Sequence, residues 1–153
     1  MKVEQRLAEL GITLPRAQSP VANYVGAVQT GNLLFLSGRG PIGPDGEVAT
    51  GLVGSDVTVE EAYGHARLVG LQLIATMKDA LGDLDRVARI VKLLGMVNGA
   101  PGFGQQPAVI NGCSDLFTAV FGEIGQHARS AIGVSSLPNN ITVEIEAIFE
   151  VTP

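Results

Sequence analysis

One stretch of this chain restricts its fold more than any other. It opens Thr58-Val59-Glu60-Glu61, the spacing of a capping box, in which a threonine and a glutamate three residues on satisfy the free N–H groups of a first helical turn. Ala62, Ala66, Val69, Leu73, Met77 and Ala80 then recur at steps of four and three until Gly82 breaks the pattern. The spacing predicts a helix to about Leu81 with a single buried stripe. A one-sided helix of this length must lie on an apolar surface.

The flanking segments read mainly as strands. Residues 21–28 read as extended, Thr30-Gly31-Asn32 as a turn and residues 33–37 as a strand, which together suggest a hairpin. Gly38-Arg39-Gly40-Pro41 and Pro44-Asp45-Gly46 carry loop and turn chemistry. Residues 84–87 read as a connector, 88–97 as an apolar strand and 98–106 as a Gly/Pro-rich loop. A second helix is predicted over residues 107–122, its stripe made of Val109, Cys113, Leu116, Phe117 and Val120 with Phe121 beside it. Two strands follow, 129–134 and 141–151. Residues 2–10 read as a short helix ended by Gly11.

This order, strand-strand-helix-strand-helix-strand-strand, predicts an α+β fold in which two helices cover one face of a mixed sheet. The 153 residues suit a single domain over 1–153, with 1–15 as an N-terminal extension. Alternation in the last strand sends Val143, Ile145, Ala147 and Phe149 to the helices, and Thr142, Glu144, Glu146 and Ile148 to the other face. Arg129, Ala131 and Gly133 alternate with Ser130, Ile132 and Val134 on the preceding strand. The expectation is that Arg129 shares the helix-free face with the two glutamates. That face mixes charge with small and apolar residues, the character of a surface closed by another copy of the chain.

Composition removes several functions. With 46% hydrophobic and 16% charged residues, disorder is excluded. A net charge of −5 without a run of Lys or Arg argues against nucleic acid as a partner. The apolar runs are too short for a membrane span. Residues 1–12 are charged and amphipathic and lack the apolar core of a secretory signal, so a cytoplasmic location is expected. The single cysteine, Cys113, falls on an apolar helical stripe and reads as core. His65 and His127 have neither metal-ligand spacing nor a Cys/His pattern, and no metal is expected. His65 reads as a helix-surface residue and His127 as a loop residue near Arg129. Ser37 lacks the nucleophile-elbow pattern, and no phosphate-binding glycine motif is present.

Arg129 is the main candidate. Its planar guanidinium matches a carboxylate bidentately. Taken alone it reads first as an ion pair with Glu144 or Glu146. Those two glutamates also form a carboxylate pair, but a glycosidase would need aromatic sugar platforms, and the chain has no Trp.

His127-Ala128-Arg129-Ser130-Ala131, Leu137-Pro138 and Val143-Glu144-Ile145-Glu146-Ala147-Ile148 resemble the signature of the RidA/YjgF family. Asn23-Tyr24-Val25, Gly31-Asn32-Leu33, Leu36-Ser37-Gly38, Gly46-Glu47-Val48, Val109-Ile110-Asn111 and Leu116-Phe117 resemble other parts of that family in order and spacing. The resemblance spans roughly residues 20–151. It implies a chorismate-mutase-like fold (bacillus type) and a homotrimer with pockets between subunits. It implies cofactor-free hydrolysis of imines or enamines, such as 2-aminoacrylate and 2-imino acids, to 2-keto acids and ammonia. In that scheme Arg129 grips the substrate carboxylate and Glu146 orients water. Tyr24 and Asn111 line the pocket, Ser37 and Gly38 give polar or backbone contacts, and the backbone of Ala131 meets the reacting group. Ala131 stands where well-known members carry cysteine. A trimer that binds small carboxylates without turning them over is the alternative. Ribonuclease activity, also attached to relatives by name, fits neither the acidic charge nor the lack of a histidine acid/base pair.

Overall fold

The structure, a computed structural model, describes residues 2–19 and 23–153. Met1 and residues 20–22, which include the start of the extended stretch expected at 21–28, lie outside the described residues.

A five-stranded sheet forms the base. Strands β1 (Ala27–Thr30) and β2 (Leu33–Arg39) make the expected hairpin, with Thr30 paired to Leu33 across Gly31-Asn32. Gly31 takes φ +58, which glycine adopts without the clash that a Cβ would bring. Strands β3 (Val87–Val97), β4 (Ala128–Gly133) and β5 (Val143–Val151) complete the order β1-β2-β5-β3-β4. Only the β3–β4 pairing is parallel; all others are antiparallel. The last strand in sequence is therefore central, and β4 is an edge.

Two long helices lie on one face, α2 (Val59–Leu81) and α3 (Gln106–Phe121); a short helix, α1 (Lys2–Glu9), packs beside them. Thr58 caps α2 as the spacing predicts: the Glu61 N–H donates to its hydroxyl oxygen, and the hydroxyl donates to the Glu61 carboxylate. Gly82 ends the helix at φ +78, its N–H on the Lys78 carbonyl. Ala62, Ala66, Val69, Leu73 and Met77 are buried as predicted, but Ala80 is exposed. Gln72, Ile74, Ala75 and Thr76 are buried as well, so the middle of α2 is enclosed on more than one side. All six apolar positions predicted for α3 are buried.

The core lies between sheet and helices. Val143, Ile145, Ala147 and Phe149 face it, beside Phe117, Leu73 and Leu93. Each such large side chain contributes roughly 1.5–3 kcal/mol by leaving water. The helices approach closely because they carry glycines at the crossing. A Cβ on Gly112 would run into the Tyr63 carbonyl, and one on Gly70 would stand 2.8 Å from a Leu116 methyl. Tyr63 and Asp115 then tie the two helices with a 2.7 Å hydrogen bond. No helix among the described residues is long and apolar enough to cross a membrane.

Two expectations about single residues need correction. Thr142 does not share the outer face with Glu144; it precedes β5, is fully buried, and its hydroxyl meets Nδ1 of His65 at 3.0 Å. His65 is accordingly a half-buried tether from α2 to the start of β5, where a helix-surface residue was expected.

Candidate functional site

Register decides where Arg129 points. On β3, Leu93, Gly95 and Val97 pair with Ala147, Ile145 and Val143 of the helix-facing set. The same three pair in parallel with Arg129, Ala131 and Gly133. Directly paired residues share a face, so Arg129 lies on the helix side of the sheet. The expectation that it shares the helix-free face with Glu144 and Glu146 is overturned. Leu94 and Met96, opposite Glu146 and Glu144, pair on β4 with Ser130 and Ile132 instead. No ion pair joins Arg129 to either glutamate.

Arg129 is held by α3. Its Nη1 donates to Oδ1 of Asn111 at 2.8 Å and to Oγ of Ser114 at 3.1 Å. Asn111 and Ser114 stand three residues apart, so they share one flank of the helix. Ser114 in turn meets Nε2 of His127 at 2.9 Å, and Nδ1 of His127 meets the Gly125 carbonyl at 2.6 Å. A carbonyl can only accept, so Nδ1 carries the ring proton and Nε2 accepts from the Ser114 hydroxyl. The hydroxyl oxygen is then free to accept from Arg129. Burial, and secondarily the Arg129 charge, pull His127 below its ordinary 6.5, against the Gly125 carbonyl, which raises it. A neutral imidazole is what the network requires. The ring also packs edge-on against Phe117, with centroids 6.1 Å apart.

Only Nη1 of Arg129 is engaged. Nε and Nη2, the edge that pairs bidentately with a carboxylate, have no partner. Asn111 and Arg129 are thus brought together, with Ala131 two residues on along the same face. The role of Ser114 was not legible beforehand; its only sequence sign is the i, i+3 spacing from Asn111. Cys113, between them, is fully buried, and burial raises its thiol far above the ordinary range. A core role fits it.

Glu144, Glu146 and Gly38 lie on the opposite face. β2 carries a bulge between Leu36 and Arg39, opposite Ala147 and Ile145 of β5. Ser37 and Gly38 sit in that bulge. The Ser37 hydroxyl donates to the Val25 carbonyl at 2.6 Å. Gly38 lies against the Glu144 carboxyl; a Cβ there would stand 2.5 Å from Oε2. Glu144 is half-buried and its carboxyl is raised, first by burial and then by Glu146. Glu146 is exposed. Tyr24, just before β1, is 43% exposed. Within the chain the arginine and the glutamates are on opposite faces, with β3 between their strands.

Residues 4–150 match the family model described as "YjgF/chorismate_mutase-like, putative endoribonuclease". The chain is 47% identical to the protein TCP17 of Trypanosoma cruzi, over 97% of this chain and 94% of the relative. It is 31% identical to a 2-iminobutanoate/2-iminopropanoate deaminase of Dermatophagoides farinae, over 90% of this chain and 92% of the relative. Among solved structures, the Agrobacterium tumefaciens protein Atu1372 superimposes with a TM-score of 0.90 at 48% identity, over 99% of this chain and 93% of that one.

Proposed function

The chain belongs to the YjgF/RidA family, and on that premise we propose that it hydrolyses small 2-imino acids and their enamine tautomers to 2-keto acids and ammonia in pockets between the subunits of a homotrimer. The observation that carries this reading is the open Nε/Nη2 edge of Arg129, held in place from behind by Asn111 and Ser114. A guanidinium fixed on one side and free on the other is a ready receptor for a substrate carboxylate.

The chemistry then asks for little. An enamine first takes a proton at C3 to become the imine. Water adds to C2 of the imine, and its displaced proton passes by way of a carboxylate to nitrogen. The resulting carbinolamine loses its hydroxyl proton, the C–N bond breaks, and ammonia leaves with a proton. Of the two glutamates, Glu144 is the better suited to carry protons. Its carboxyl is raised toward the working range of a general acid/base and lies against Gly38 beside Ser37. Glu146 raises Glu144 through its charge. Because Arg129 and Glu144 are on opposite faces of one sheet, their cooperation requires a second copy of the chain, which favours the intersubunit pocket.

The test is to generate 2-aminoacrylate with a serine dehydratase and follow keto-acid release. Wild-type protein should accelerate it, and Arg129→Ala should lower kcat/KM by about a hundredfold, the loss of two charge-assisted hydrogen bonds. No acceleration across several imino acids, with 2-keto acids still binding by calorimetry, would leave the binding trimer as the function.

A further inference from the structure

A second arginine is buried without a counter-ion. Arg39, at the end of β2, pairs with Ile145 and therefore points to the helix side, where it is 3% exposed. Of the five N–H groups a guanidinium offers, one is used: Nη1 donates to the Gln18 carbonyl at 3.2 Å. Nε is fully buried and has no acceptor. No salt bridge reaches the group among the described residues; Tyr24 alone acts on it electrostatically, favouring its charge less than burial opposes it. Burial disfavours its charge, yet an arginine does not give up its proton in a protein. A buried cation with so little compensation costs several kcal/mol, and no carboxylate among the described residues comes close enough to pair with it.

The surroundings are built as a receptacle. Arg39 lines a cleft of about 560 Å³ between α2, β1 and the segment 16–19, with Arg16, Gln18, Gly26, Thr76 and Asp79. That volume falls within the usual range for small-ligand sites. Gly26 is what admits the guanidinium: a Cβ there would stand 2.5 Å from Nη2. Arg16, Arg39 and Asp79 together leave one net positive charge on the lining. A carboxylate supplies one negative charge and a planar pair of acceptors; a phosphate dianion would leave an excess beside Asp79.

We propose that this cleft is a second binding site, for a small monocarboxylate, with Arg39 as its cation. It does not depend on the imine-hydrolysis reading. Arg39 and Arg129 stand on β2 and β4, with β5 and β3 between them, a separation of about 14 Å at sheet spacing. Occupancy of this cleft stabilises the docking of the 16–19 segment onto α2, because the ligand replaces the missing partner of a charge that the segment helps bury.

The test uses the intact chain carrying Arg129→Ala, so that the first arginine cannot contribute, with acetate, pyruvate and inorganic phosphate as probes. Saturable acetate- or pyruvate-dependent shifts of the Gln18, Gly26 and Thr76 amides, with a rise in Tm, are expected; phosphate should give neither. In an Arg39→Met, Arg129→Ala double variant the carboxylate effects should vanish, while Tm without added anion should equal or exceed that of Arg129→Ala. The amide measurement needs no Arg39 variant, so it decides even if that variant fails to fold. No saturable shift at those amides in the Arg129→Ala protein overturns the site. Carboxylate shifts that survive loss of Arg39 overturn its role, and equal binding of phosphate overturns the monocarboxylate assignment. Loss of turnover in Arg129→Ala with the shifts retained separates this site from the proposed catalytic one.

Discussion

At the scale of single residues, the two histidines are the most informative. His65 and His127 are both half-buried and both pulled below the ordinary 6.5, chiefly by burial. The unfolded chain therefore binds protons at a higher pH than the native one. Stability should be complete above pH 6.5 and fall as the solution is acidified from there through the lowered values. Glu144 acts in the opposite sense. Its raised carboxyl contributes stability at low pH that is lost as pH rises from about its ordinary 4.5 through the raised value. Urea unfolding between pH 5 and 8 should thus show a slope that flattens in a His65→Gln, His127→Gln double variant. The partners of the two histidines were not legible in the sequence. Thr142 and Ser114 lie 77 and 13 residues away, and contacts at such separations follow from packing and leave no local pattern.

At the scale of elements, the helix crossing carries a sharp prediction. Gly112→Ala would drive a methyl into the Tyr63 carbonyl, a backbone atom that can move only with α2. Overpacking of this kind costs about 1–3 kcal/mol, or more where backbone must shift. Gly70→Ala meets the end of a leucine side chain first and should cost less. Denaturant midpoints of the two variants check the order. Strands and helices themselves were readable to within a few residues, because α2 carries its own start and stop signals and β5 a clean alternation. The face of β4 was not readable. Its two alternating sets, Ser130 with Ile132 and Arg129 with Ala131, are comparably small and mixed, so hydrophobicity does not say which one meets the helices. Parallel pairing with β3 decides it, and Ile132 ends up 44% exposed on the outer face. The α+β class was thus legible, and Asn111 was singled out beside Arg129 only through the family resemblance, whereas the side of the sheet on which Arg129 lies was settled by long-range register.

At the scale of the whole molecule, the division of the site between faces predicts complementation. If each pocket takes Arg129 from one subunit and Glu144 from the next, Arg129→Ala and Glu144→Gln proteins should each be nearly inactive alone. Unfolded together and refolded as a mixture, they should regain about a quarter of wild-type turnover, the fraction of trimer pockets that draw both intact residues by chance. No regain, with mixed trimers demonstrated by mass, would overturn a pocket shared between the two residues. The sheet order has a further consequence for how the chain is made. β5, synthesised last of the five strands, fills the slot between β2 and β3. Until it leaves the ribosome, the β1–β2 hairpin and the β3–α3–β4 unit each keep an unpaired inner edge and cannot join into one sheet. Until then those edges are open to wrong pairing, and losing the end of β5 should be far more harmful than losing α1.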